Sequence, residues 1–291
     1  MNKVIKQAFT LIELLVVIAI IGILSGLIVV SMSGVTQKAN IAKAQVFSNS
    51  LRNTMMMNTV AEFKLDGNAN DTWGAIPVGT ITGATAITTD CVYGSCYSFN
   101  GTNSDNISFG DQAAFSFTNN IFTFSFWMKR ASAASNIAVL GKTNGAASPF
   151  EYSIYGSGTL LSFYSWVSSG TADIYPVNTV SIDNDGWNFF VWTADGTNSY
   201  VYKNGVRGTA IAKTTNSFSD TTSPFVVGRG CNGSVCRYES GLIDEIRIYN
   251  IALPVSQIQE EYYAGLNRLL ANGNISNEEY GQSIKSISLN K

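Results

Sequence analysis

The run DGNAND at 66–71 gathers three hard oxygen side chains, Asp66, Asn68 and Asp71, into one short loop, a donor set suited to calcium. It lacks the terminal Glu of a helix–loop–helix calcium site and stands among strand-like segments. A fourth oxygen donor lies in the late segment GLIDEIRIY. There Leu242, Asp244, Ile246 and Ile248 fall on one face of an alternating strand, and Ile243, Glu245, Arg247 and Tyr249 on the other. With the first face in the core, Asp244 is a buried carboxylate that must be satisfied by backbone amides or by a cation. These residues require no cofactor. A structural calcium held by Asp66, Asn68, Asp71 and Asp244 stands beside the plainer reading, solvated loop acids and an Asp244 bonded to amides.

The chain contains no histidine, which removes Ser–His and Cys–His nucleophiles. Its four cysteines form two close pairs, Cys91 with Cys96 in CVYGSC and Cys231 with Cys236 in CNGSVC. Zinc sites favour tighter spacing and often include histidine, so a metal cluster is disfavoured. Outside the cytoplasm the pairs are expected to form two local disulfides, each worth roughly 2 kcal/mol by the loop-entropy model. Pairing across the two loops is the open alternative. Tyr152, Tyr155, Tyr164 and Trp166 are close enough to share a sheet, as a platform for a sugar ring or as ordinary packing.

The elements that carry these residues change character along the chain. From Phe9 to Val30 the sequence is an apolar run of 22 residues interrupted by the single acid Glu13. As a helix it extends about 33 Å, enough for a bilayer core of about 30 Å. Lys3 and Lys6 precede it, so the N-terminus stays in the cytoplasm and everything after Val30 lies outside. An amphipathic helical pattern continues to about Met57, with Ile41, Ala44, Leu51 and Met55 on one stripe. Near Val60 the period changes to that of strands. IFTFSFWMK alternates Phe122, Phe124, Phe126 and Met128 against Thr123, Ser125, Trp127 and Lys129, and Asn204–Gly205 marks a hairpin turn. After Pro254 a helical pattern returns. Ser256 is a candidate cap for its first helix, Gly273 a stop, and Ser276 with Glu279 has capping-box spacing.

The predicted fold is therefore mainly β. A long N-terminal helix, transmembrane over 9–30 and then amphipathic to residue 58, precedes an antiparallel sandwich over 59–258 and a short helical hairpin over 259–291. Residues 1–58 carry five basic residues and one acid, and residues 59–258 carry ten basic and fifteen acidic, so the head has no nucleic-acid surface.

The residues Ala8, Phe9, Thr10, Leu11, Ile12 and Glu13, followed by an unbroken apolar helix, resemble the N-terminus of type IV prepilins and pseudopilins. The resemblance implies a leader of residues 1–8, cleavage between Ala8 and Phe9 by a prepilin peptidase, and methylation of the new Phe9 amine. It also implies that Glu13, costly within a bilayer, pairs with the Phe9 amine of a neighbouring pilin-like subunit. Where the family usually has Gly before the cut, this chain has Ala8.

EFKLDGNANDTWG, YSFNGTNSDNISF, FTFSFWMKR, WNFFVWTADGTNSYVYKNG and GLIDEIRIYNIALPVSQIQ occur in an order that resembles laminin-G-like, concanavalin-A-like jelly rolls. That implies two packed antiparallel sheets and a partner among sugars, glycoproteins or other surface polymers. Together the resemblances imply a minor pilin or pseudopilin-like protein, single-pass in the cytoplasmic membrane and carrying an adhesive head on the cell surface or pilus. The alternatives are a pseudopilin of a type II secretion or DNA-uptake machine, a membrane-anchored monomer, and a glycoside hydrolase. Hydrolysis is disfavoured because no Glu-x-Asp-x-x-Glu strand is present and alternation sends Asp244 and Glu245 to opposite faces.

Overall fold

The computed structural model describes residues 11–23, 46, 56–101, 105–131, 136–143, 150–166, 174–175, 177–182, 186–218, 220–232 and 235–289. The chain divides into two compact units, residues 1–50 and 51–291. In the first, residues 11–23 form helix α1, which includes Glu13 and leaves its apolar side chains exposed, from Leu11 to Ile23. Ala8 and Phe9, and most of the expected transmembrane and amphipathic stretch, lie outside the described residues. Among those described, no helix is long and apolar enough to cross a membrane.

The second unit is a sandwich. In chain order its strands are β1 Thr59–Phe63, β2 Thr80–Thr82, β3 Thr85–Ile87, β4 Cys96–Asn100, β5 Asn106–Ser108, β6 Ile121–Arg130, β7 Asn136–Thr143, β8 Phe150–Ser157 and β9 Leu160–Ser165. They continue as β10 Asn178–Ser181, β11 Trp187–Asp195, β12 Asn198–Lys203, β13 Val206–Arg207, β14 Ile211–Ala212, β15 Phe225–Val227, β16 Arg229–Asn232, β17 Val235–Tyr238 and β18 Ser240–Tyr249. Helices α2 Val255–Ala271 and α3 Asn277–Leu289 follow. One sheet runs β13-β12-β11-β6-β18-β4-β3, with β1 on β18 and β14 on β12, and the other runs β10-β9-β8-β7-β15-β5-β2. The short hairpin β16–β17 forms a third, two-stranded sheet.

Strict alternation builds the core. Phe122, Phe124, Phe126 and Met128 of β6, with Phe190 and Trp192 of β11, meet Ile154, Leu161, Phe163 and Phe225 of the facing sheet. The expected hairpin turn joins β12 to β13. Asn204 and Gly205 both have positive φ, the geometry this dipeptide favours.

The last strand departs from alternation. Its pairing with β6 slips between Asp244 and Arg247, and Glu245 sits at φ +51°, a bulge with one extra residue on β18. Before the bulge Ile243 faces the core; after it Ile246 and Ile248 do. The expectation that Asp244 shares the core face with Leu242, Ile246 and Ile248 is thereby corrected. Asp244 is buried on the outer face, and Glu245 lies on that side too, because the bulge reverses the parity between them.

That outer face is covered by the C-terminal helices. Ile258, Tyr262, Leu266 and Leu269 of α2 and Ile287 of α3 form a second core with Trp127, Phe189, Val191, Tyr202 and Tyr249 of the sheet. The sequence division at 258/259 falls inside α2, and the helical pair is packed structure. Helix α2 starts after Pro254, which makes no side-chain cap, rather than at Ser256. Gly273, at φ +75°, ends it. The capping box is as expected: the Ser276 amide donates to Glu279 at 2.7 Å, and the Glu279 amide donates to Ser276 at 3.2 Å.

Close approach of α2 depends on Gly265, where a Cβ would fall 2.1 Å from the Trp127 ring. Gly→Ala inside a helix ordinarily gains about 1 kcal/mol. Gly265→Ala is expected to do the opposite, losing about 1–3 kcal/mol by overpacking, read as a lower melting temperature of the head. A raised melting temperature would refute this docking.

Candidate ligand-binding surface

With one outer face under the helices, the seven-stranded sheet presents the other. On β8, Tyr152 and Ile154 point into the core while Ser153 and Tyr155 point out. On β9, Leu161 and Phe163 point in while Ser162 and Tyr164 point out, followed by Trp166. The structure thus brings together three of the four expected platform residues. Tyr164 stacks on Trp166 at 5.2 Å and 12°, and Tyr155 lies 5.6 Å from Tyr164 and 6.5 Å from Trp166. Tyr152 is the correction. It sits three residues from Tyr155, on the opposite face, with its ring in the core and its hydroxyl donating to the Phe115 carbonyl at 2.9 Å.

Hairpin β16–β17 crosses the inner part of this ledge. Gly230 permits the crossing, since a Cβ there would fall 2.7 Å from the Tyr155 ring. Arg237 lays its guanidinium 4.9 Å from the centre of the same ring, a cation–π contact. Tyr155 is buried in consequence, Trp166 is buried as well, and burial pushes the Tyr155 phenol up to about 12. Tyr164 is half-buried, beside half-buried Ser162; the exposed Thr179 of β10 pairs with Ser162, and the exposed Ser181 lies further along, opposite Leu160. What remains open is an aromatic edge bordered by hydroxyls. Such a surface can take the C–H face of a neutral ring and hydrogen-bond its rim.

A groove of about 450 Å³ is lined in part by Thr59, Val60, Ile76, Ala114, Phe117 and Asn250. Its lining mixes apolar with polar but uncharged side chains. Sequence reading missed it because its lining comes from separate segments that only folding assembles.

The expected calcium ligands serve the backbone. Asp66 Oδ1 accepts from the Ser95 amide at 2.8 Å, and Asn68 Oδ1 from the Asn70 amide at 3.0 Å. Asp71 accepts from the amides of Glu62, Trp73, Ala75 and Ile76 at 2.9–3.1 Å. Asp244 Oδ2 accepts from the Val92 and Tyr93 amides at 2.9 and 3.1 Å. Burial first, and then the Glu245 charge, raise the Asp244 carboxyl above its ordinary value. Among the described residues no group of three or more Asp, Glu, Cys or His side chains is arranged to hold a metal. Asp66 and Asp244 pin one loop between them, which a Cys91–Cys96 disulfide closes. Cys236 is also disulfide-bonded, and it faces Cys231 in register across β16–β17.

Two antiparallel sheets packed face to face, with an aromatic ledge on one outer face, define a lectin-like jelly roll. The chain belongs to the concanavalin A-like lectin/glucanases superfamily, whose model matches residues 100–259, and residues 5–29 match the prokaryotic N-terminal methylation motif. Domain 4 of AbnA, a GH43 extracellular arabinanase from Geobacillus stearothermophilus solved with arabinotriose, is similar over 70% of this chain and 97% of its own, at 23% identity and TM-score 0.54. The binding domain of Paraclostridial Mosquitocidal Protein 1 is similar at 15% identity and TM-score 0.57, over 72% of this chain and 53% of its own. A botulinum neurotoxin type C structure, whose cell entry depends upon two ganglioside molecules, is similar at 13% identity and TM-score 0.55, over 73% of this chain and 52% of its own. This chain thus spans about half the length of the two toxin chains. These likenesses establish the fold. No curated protein matches the chain.

Proposed function

We propose that this is a minor pilin- or pseudopilin-like surface protein whose head binds a glycan or glycoprotein without catalysis, in adhesion. The observation that carries the reading is the union in one chain of a methylation motif at 5–29 with a lectin-like sandwich. In this reading prepilin peptidase cuts between Ala8 and Phe9, and Glu13 meets the Phe9 amine of the next subunit. The apolar N-terminal run holds the protein in the cytoplasmic membrane until assembly. The arabinotriose of the arabinanase domain and the gangliosides of the neurotoxin support sugar as the ligand class.

In this reading the sugar lies against Tyr164, with Ser162 and Thr179 as its hydrogen-bonding border. A glycan array probed with residues 51–291 is expected to show binding to a subset of glycans. Tyr164→Ala is expected to weaken that binding about tenfold, the loss of one aromatic stack, with the melting temperature unchanged. Binding that ignores Tyr164 would move the site to the groove, and silence across the array would remove glycans from the reading. The methylation motif serves equally well in a type II secretion or DNA-uptake machine. Deleting the gene separates the two: adhesion requires lost surface attachment with secretion and uptake intact.

A further inference from the structure

Lys142 is fully buried, an uncommon place for a lysine, and its Nζ lies in a nest of oxygens. Glu151 Oε1 is 2.7 Å away, Asp111 and Asp220 each 3.3 Å, Ser116 Oγ 2.6 Å and the Thr221 carbonyl 2.8 Å. Glu151 is fully buried as well. The two meet through a bulge. Lys142 pairs with Tyr152 and Thr143 with Phe150, so Glu151 is the extra residue on β8 and its side chain is re-aimed.

The two oxygens of Glu151 are held very differently. Oε1 accepts from the Thr221 amide at 3.0 Å, the Thr221 hydroxyl at 2.8 Å and the Ser116 hydroxyl at 2.9 Å, besides Lys142. Oε2 is buried and accepts no hydrogen bond. Donors gathered on one oxygen stabilise the negative charge that develops there when a nucleophile adds to the carbonyl carbon. The unheld oxygen is the natural leaving group, and the amine is already in contact.

We propose that Lys142 and Glu151 condense within the folded head into an intramolecular amide bond. One proton of the Lys142 ammonium passes to the Glu151 carboxylate it touches and comes to rest on Oε2, leaving a neutral amine and a neutral carboxyl. The nitrogen lone pair adds to Cδ, and the charge on Oε1 is held by Thr221 and Ser116. A second nitrogen proton moves to Oε2, the Cδ–Oε2 bond breaks, and that oxygen leaves as water. Ammonium and carboxylate thus become one amide and one water, with no oxidant or co-reactant. Burial raises the Glu151 carboxyl and so favours its neutral form. Burial works against the Lys142 ammonium too, but Glu151, Asp111 and Asp220 outweigh it and keep the resting amine protonated, so the bond forms slowly after folding. The product ties β7 to β8 inside the seven-stranded sheet, where a surface-mounted head can be pulled.

Mass spectrometry of the reduced, denatured and trypsin-digested full chain tests this. The expected product is a peptide from Ala131 to Lys203, uncut after Lys142 and lighter than its sequence by one water. Separate peptides ending at Lys142 and beginning at Thr143 would overturn the proposal, as would an uncut peptide of full mass. Lys142→Arg is expected to restore cleavage at that position and abolish the mass loss. Should that variant not fold, Glu151→Gln keeps the carbonyl and is expected to lose ammonia in place of water. A folded Glu151→Gln protein with no mass loss would count against the geometry.

Discussion

A head cut after Ile258 is expected to be insoluble, or to lack a cooperative melt, whereas residues 51–291 unfold in one transition. The cut removes Tyr262, Leu266, Leu269 and Ile287, and with them the cover over Trp127, Phe189, Val191, Tyr202 and Tyr249. Burying one large apolar side chain is worth about 1.5–3 kcal/mol. Uncovering several approaches or exceeds the 5–15 kcal/mol by which a domain is usually stable. Polar partners go as well: Arg268 donates to Glu245 at 2.9 Å, and Tyr249 bonds to Glu261. Expression of the two lengths side by side, with melting followed by circular dichroism, decides the matter. A soluble 51–258 fragment that melts at the same temperature as 51–291 would sink the two-core account.

Glu239→Gln is expected to raise the stability of the head at neutral and alkaline pH and to leave it unchanged in acid. Glu239 is fully buried beyond the end of β17. Burial pushes its carboxyl from 4.5 up to about 8, against the opposing pull of Arg130 and the Ser240 backbone. The folded value lies above the unfolded one, so the folded state holds its proton more tightly. That contribution is complete below pH 4.5 and disappears as the pH rises towards about 8. Glutamine never ionises and escapes the loss, which is at most about 5 kcal/mol by the linkage of one pKa unit to about 1.4 kcal/mol. Urea melts of both proteins across that range should converge at the acid end and diverge above it. Parallel curves would show that Glu239 does not titrate between these limits.

Local signals in the sequence were read correctly where one element acts alone. Asn204–Gly205 makes its turn because both residues tolerate positive φ, and Ser276 with Glu279 caps α3 through bonds between near neighbours. The phenylalanines of β6 alternate into the core as written. Tyr152 was legible too, since odd spacing from Tyr155 sends it to the other face of β8. The face of Asp244 was not, because one extra residue at Glu245 reverses the parity and no composition signal marks the bulge. The pairing of Lys142 with Glu151 was hidden for the same reason.

By itself the sequence determined the order of the parts, the sandwich class and the methylation-type N-terminus, because periodicity and short motifs are properties of neighbours along a chain. Tertiary structure decided which surfaces remain available. It laid α2 over one sheet, set Arg237 against Tyr155 on the other, and left Tyr164 at the open edge. It also placed a buried amine against a buried carboxyl. Contacts between residues distant in sequence depend on register, bulges and crossings, and those are fixed only when the two sheets, the hairpin and the helices close on one another.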